Sequence, residues 1–162
     1  MKSLLILRHA EAVAATPELP DLPRPLTPRG RAQMRGLGRW MQDRRIAPGR
    51  IICSTAIRAK ETAKILGSAA GWTTQVIANA ALYNASGKAL LAQVKIAPDE
   101  LTQLLLVAHA PGVRDLVGLL TAKQADVTLI YEAATLAEVV FDIERWSEIG
   151  RGTGALRLLL PP

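Results

Sequence analysis

Aromatic residues are scarce in this 162-residue chain: three tryptophans, two tyrosines and one phenylalanine, 4% of the whole. Leucine, alanine, valine and isoleucine must therefore fill the core. Basic residues interleaved with exposed aromatics, the footprint of a nucleic-acid-binding surface, are missing, so no nucleic-acid partner is expected. There is one cysteine, Cys53, which excludes an internal disulfide and any multi-cysteine metal site. It ends the run Arg50-Ile51-Ile52-Cys53 and reads as a small buried apolar residue. No run approaches the ~18 apolar residues of a membrane-spanning helix. The N-terminus enters a strand at once, without a separate signal segment, so a cytoplasmic protein off the membrane is expected. Histidine is also scarce, with two copies, His9 and His109.

What is present is ordinary in bulk. Apolar residues make up 49% and charged residues 21%, as in a typical globular protein, and the length suits a single domain over residues 1–162. The net charge of +6 suits acidic or phosphorylated partners. The basic residues are dispersed except for a cluster between Arg24 and Arg50.

The pattern alternates strands and helices. Residues 3–8, 50–53, 74–78, 103–108, 135–142 and 155–160 read as strands. Helices are expected from Thr27-Pro28 to about Arg45, where Arg44 and Arg45 suit the negative end of the macrodipole, and over 56–70, 88–96 and 111–120. Residues 12–26 form a loop rich in proline. This order predicts a three-layer α/β/α fold with a mainly parallel sheet. The last two strands have no helix between them, so one is expected to run antiparallel.

Both histidines end apolar strands. Ligands of open α/β sheets bind beyond the carboxyl ends of the strands. Arg8-His9-Ala10-Glu11 places an imidazole there beside a guanidinium. The imidazole nitrogen can attack phosphorus, and the guanidinium offers a planar fork for two phosphate oxygens. His109-Ala110-Pro111-Gly112 places a second imidazole just before a helix, where a protonated His109 and the backbone N–H groups from Ala110 onward would face an anion. Arg58 falls in the first turn of the helix opened by Ser54-Thr55-Ala56-Ile57. The macrodipole disfavours a cation there by about 0.3–1 kcal/mol, so an anion beside Arg58 would explain its position. Ser54 either caps that helix or touches phosphate.

Taken together, Leu7-Arg8-His9-Ala10, Leu26-Thr27-Pro28-Arg29-Gly30, Ser54-Thr55-Ala56-Ile57-Arg58-Ala59-Lys60-Glu61-Thr62 and Val107-Ala108-His109-Ala110-Pro111 resemble the histidine phosphatase superfamily, the phosphoglycerate mutase-like fold. The resemblance spans residues 2–120. It implies His9 as nucleophile, with Arg8, Arg58 and His109 around the phosphate. Ala10 and Thr55 stand where the family has Gly and Pro. Larger members carry a general acid between the second arginine and the late histidine. No carboxylate occurs here from Thr62 to Pro98, and Glu11 is the remaining acid candidate. The short spacing from Arg58 to His109 also leaves no room for a lid. Both features resemble the small SixA-type phosphohistidine phosphatases, whose imidazole leaving group has less need of an acid than an alkoxide has.

The resemblance therefore implies a metal- and cofactor-independent monomeric phosphatase acting on a protein phosphohistidine or a small phosphorylated substrate. A small-molecule phosphomonoesterase of the same superfamily is the alternative within enzymes. A non-catalytic phosphoprotein-binding module is the alternative from another class.

Overall fold

Strand β1 (Lys2–Arg8) forms because Leu4-Leu5-Ile6-Leu7 can be buried on both faces of a sheet, and all four are fully buried. In the computed structural model, which describes residues 1–121 and 130–162, it is followed by α1 (Pro28–Asp43), β2 (Arg50–Ser54), α2 (Ile57–Ala69), β3 (Val76–Asn79), α3 (Gly87–Lys95), β4 (Gln103–Ala108), α4 (Gly112–Leu120), β5 (Leu136–Phe141) and β6 (Gly154–Leu160). Short 3-10 turns occupy Ala80–Leu82 and Trp146–Glu148.

The strand order is β3-β2-β4-β1-β5-β6. The first four strands are mutually parallel, and β5 runs antiparallel to both its neighbours, as the missing late helix predicts. Successive residues of a strand point to opposite faces. Leu4, Ile6, Leu104 and Leu106 accordingly join the core under α3 and α4. Leu5, Leu7, Leu105 and Val107 join the core under α1 and α2. Each fully buried side chain of this kind contributes roughly 1.5–3 kcal/mol. Cys53 lies in the second core, where burial pushes its thiol up to about 11. It is inert there.

Thr27 caps α1 as expected, its Oγ1 accepting from the Gly30 N–H at 3.0 Å. The far end differs from expectation. The helix stops at Asp43, ahead of Arg44 and Arg45, because Arg45 takes a left-handed φ of 54° and Ile46 N–H turns back to the Met41 carbonyl. Arg44, just past the last turn, stacks on the Trp40 ring at 4.2 Å and also donates from Nη1 to the Trp40 carbonyl at 3.3 Å, so it still serves the negative end of the helix.

Two close approaches hold the loops that carry the site. A methyl at Gly30 would overlap the carbonyl oxygen of Glu11, and one at Gly112 would overlap that of Ala85. Gly30→Ala should therefore destabilise the protein by about 1–3 kcal/mol, an ordinary overpacking cost. Urea unfolding measures this, and an unchanged midpoint would mean that the Glu11 backbone is free to move away.

Candidate active site

The sheet register delivers both histidines to one place. Arg8 pairs with Ala108 and Cys53 pairs with Val107, with β4 lying between β1 and β2. His9 and His109, the next residues past β1 and β4, emerge beside Ser54, the last residue of β2. His9 N–H donates to the Ala108 carbonyl at 3.1 Å, and the two imidazole centroids are 5.3 Å apart. Both rings are buried.

Hydrogen bonds fix the tautomer of each ring. His9 Nδ1 lies 2.8 Å from the Ala10 carbonyl oxygen, which can only accept. Nδ1 therefore carries the proton and Nε2 keeps its lone pair. Arg58 Nε donates to that Nε2 at 3.3 Å. His109 is held in the opposite sense. Its Nδ1 accepts from Arg58 Nη2 at 3.2 Å, and its Nε2–H donates to Ser54 Oγ at 2.7 Å. Ser54 Oγ also accepts the Ala56 N–H at 3.2 Å, so one buried hydroxyl orients His109 and braces the turn into α2; it does not cap that helix, whose N-cap is Ala56.

Arg58 ties the site together. It is 2% exposed, in the first turn of α2. Besides both imidazoles it reaches Asp21, donating from Nη1 to the backbone carbonyl at 2.7 Å and from Nη2 to Oδ2 at 3.0 Å. Asp21 is further held by Arg24 at 2.7 Å and by the Tyr83 hydroxyl, which donates to Oδ2. The Tyr83 ring meets His109 edge-on at 5.6 Å. Thr62, one turn along α2, accepts the Ala10 N–H at 3.0 Å and donates to the Arg58 carbonyl at 2.7 Å. It locks the loop after His9 to the helix bearing Arg58. Arg8 donates from Nη1 to the Tyr131 carbonyl at 2.9 Å, while its buried Nε–H has no partner among the described residues.

The electrostatics follow from burial. Burial first, then the Arg58 and Arg8 charges, lowers His9 to about 4, against the opposing Ala10 hydrogen bond. Burial, Arg58 and His9 lower His109 to about 3. Both are neutral at pH 7, so His109 presents no third positive charge in the free protein, contrary to the sequence-based expectation of an imidazolium. Asp21 is the reverse case. The Tyr83 hydrogen bond, with Arg24 and Arg58, holds its carboxyl well below the ordinary range.

Arg8, His9, Ser54, Arg58, His109 and Ala110 thus share one rim, with Ala110 exposed at its edge. Glu11 is turned elsewhere: Oε1 accepts from Thr27 Oγ1 at 2.7 Å and Oε2 lies 3.5 Å from Arg29. The carboxylate facing Arg58 is Asp21. Sequence reasoning missed it, together with Tyr83 and Thr62. The one signal was the length of the loop over residues 12–26, since long loops in compact domains tend to be functional.

Because the chain has two histidines, their imidazole NMR signals can be assigned with single variants and titrated. Neither ring should take up a proton until the pH falls well below 5. A midpoint near 6.5 for His9 would contradict the buried, arginine-flanked geometry.

The comparisons with known proteins agree with this architecture. A protein of Mycobacterium leprae, itself uncharacterized, is 30% identical over 110 residues. The match covers 66% of each chain, just under two thirds of that relative's length. A solved structure from Nakamurella multipartitia, described as a candidate phosphohistidine phosphatase SixA, superposes with a TM-score of 0.84 at 27% identity, covering 99% of this chain and 96% of that one. The protein histidine phosphatase SixA complexed with tungstate shares the fold, with a TM-score of 0.82 at 21% identity and coverage of 98% and 96%. The model of the histidine phosphatase superfamily, branch 1, matches residues 4–88, just over half of the chain and the stretch that holds Arg8, His9, Ser54 and Arg58. The chain belongs to the histidine phosphatase superfamily.

Proposed function

We propose that this protein is a metal-independent phosphatase that works through a phosphohistidine on His9, and that its substrate is a phosphohistidine displayed on another protein. The observation that carries the reading is the state of His9: a neutral ring whose Nε2 lone pair is free of a proton and lies against a buried guanidinium. That is the state an imidazole nucleophile requires.

In this reading His9 Nε2 attacks phosphorus in line. The Nε2–P bond forms as the bond to the leaving group breaks, and the leaving group departs with the electron pair. Arg8 and Arg58 face the equatorial oxygens, supplying positioning and charge, and the phosphoryl dianion draws a proton onto His109 Nδ1 so that this ring donates beside them. The Nε–H of Arg8, without a partner among the described residues, fits such a role. Water then attacks phospho-His9, releasing phosphate and restoring the lone pair.

The choice of substrate rests on Asp21. The carboxylate nearest the arginine is ionised and already engaged by Tyr83, so it is a poor proton donor. An alkoxide leaving group would gain nothing from it. A departing imidazole differs: a phosphohistidine protonated on its second ring nitrogen leaves as neutral imidazole without collecting a further proton, and a carboxylate can accept a hydrogen bond from that N–H. The Nakamurella relative's description as a SixA phosphohistidine phosphatase supports the same substrate.

Phosphohistidine and aryl phosphates should therefore turn over, while glycerol phosphate should be slower by about 10²–10⁴-fold in kcat/KM, the range that general acids contribute. Equal rates on glycerol phosphate and p-nitrophenyl phosphate would remove the phosphohistidine assignment. Acid quenching during turnover should trap an acid-labile phosphate on the wild-type chain and none on His9→Ala. Substantial activity in a folded His9→Ala protein would overturn covalent catalysis. Activity should also survive EDTA, and loss restored by added metal would require another mechanism.

A further inference from the structure

The two helices on one face of the sheet carry almost all of the protein's charge surplus. Helices α1 and α2 hold seven cationic side chains against two carboxylates, in a chain whose net charge is +6. On α1, Arg31, Arg35 and Arg39 repeat every four residues and so form one stripe. Across from them stands Lys64 of α2, and between the helices runs a cleft of about 610 Å³ lined also by Glu61 and Ser68.

This arrangement works against the helix that carries it. Like charges four residues apart destabilise a helix. Arg29 and Arg31 add cations to a first turn that contains no acid, where the macrodipole is already positive. The one carboxylate in the cleft is committed, because Glu61 accepts from Arg31 and from the Leu26 N–H, each at 2.7 Å. Arg35, Arg39 and Lys64 are exposed and have no ion pair among the described residues. The missing counter-charge is on something else.

Position says what that is. Glu61, at one end of the cleft, is three residues from Arg58, so the cleft opens about one helical turn from the reactive centre. From Arg31 to Arg39 it runs about 12 Å down the side of the molecule. A segment lying along it would end about one helical turn from Arg58. We infer that this cleft is a docking surface for an acidic segment of the phosphorylated partner protein, and that it selects the partner while His9 and Arg58 act on the phosphoryl group. The inference rests on the reading of the protein as a protein phosphohistidine phosphatase.

The test uses three substrates and one variant. The substrates are a synthetic phosphohistidine peptide with Asp and Glu three to eight residues from the phosphohistidine, the same peptide with neutral flanks, and p-nitrophenyl phosphate. An extended peptide covers the cleft with about four residues. The variant is the double substitution Arg35→Glu with Arg39→Glu, both on the exposed face of α1. The wild type should favour the acidic peptide by about tenfold or more through KM, and the preference should fade as salt rises. The variant should lose the preference and keep its rates on the neutral peptide and on p-nitrophenyl phosphate. Equal wild-type rates on both peptides, or an equal loss on all three substrates in the variant, would overturn the docking surface.

A second measurement separates this from the underlying assignment. Fluorescence anisotropy with the unphosphorylated acidic peptide reads the cleft without any chemistry. Turnover of neither phosphohistidine peptide, alongside turnover of p-nitrophenyl phosphate, sinks the substrate assignment. Weakening of acidic-peptide binding in the double variant supports the cleft whatever the turnover assays give. Tighter binding of a single-stranded oligonucleotide than of the acidic peptide at the same ionic strength would overturn an acidic protein as the occupant.

Discussion

A buried guanidinium cannot stand alone, and most of this site follows from how the chain accommodates Arg58. Its side chain is 3% exposed, yet it keeps its charge. Removing a cation from water costs several kcal/mol unless donors and charge are matched. The chain supplies two imidazole nitrogens, a backbone carbonyl and the Asp21 carboxylate. Each of these is a consequence of something local. The imidazoles arrive because β1 and β4 are adjacent and in register. Asp21 arrives because the loop over residues 12–26 is long enough to come back over α2. Thr62 and Ser54 then stiffen the approach from either side.

The same charge sets the state of the histidines. A guanidinium within hydrogen-bond distance of both rings opposes their protonation, and burial reinforces it. This leaves His9 in the neutral state that the proposed nucleophile needs, at the expense of a charged His109. It also means that Asp21 holds donors a phosphate would want. An incoming phosphoryl group competes with a carboxylate that already occupies Nη1 and Nη2 through its backbone and side-chain oxygens. Asp21 is 40% exposed at its side chain and retains Arg24 and Tyr83 as partners, so it can yield Arg58 without being stranded.

The parts of this arrangement that were legible in the sequence share one property: they depend on neighbours in the chain. An apolar run that ends in His9 or His109, a Thr27-Pro28 helix start and an arginine at the start of α2 are local patterns with a physical reading. The mainly parallel sheet could be reasoned from the alternation of elements, and the one antiparallel strand from a missing helix, whereas the strand order could not. What could not be read depends on contacts across the fold. Asp21 meets Arg58 across 37 residues and Tyr83 across 62. No spacing rule links a proline-rich loop to a 3-10 turn. Glu11 illustrates the converse. Two residues past His9 it looks placed for chemistry, but Thr27 and Arg29 at the start of α1 engage its carboxylate. The protonation of His109 was misjudged because a lone residue type says nothing of the guanidinium beside it.

Selectivity in such a site has to come from outside the phosphate itself, because arginines and imidazoles recognise any phosphoryl group. The loop after β3 is not available as a lid. The Ala85 carbonyl sits hard against Gly112 of α4, with no room for a methyl between them. Among the described residues, two surfaces can discriminate. One is the ionised Asp21, which suits a leaving group that retains an N–H and is unhelpful to one that must collect a proton. The other is the cationic face of α1 and α2, which acts over nanometre distances and therefore on macromolecules more than on small phosphates. In the proposed phosphatase, discrimination therefore lies in what the phosphate is attached to, and enclosing the phosphoryl group would add nothing to it.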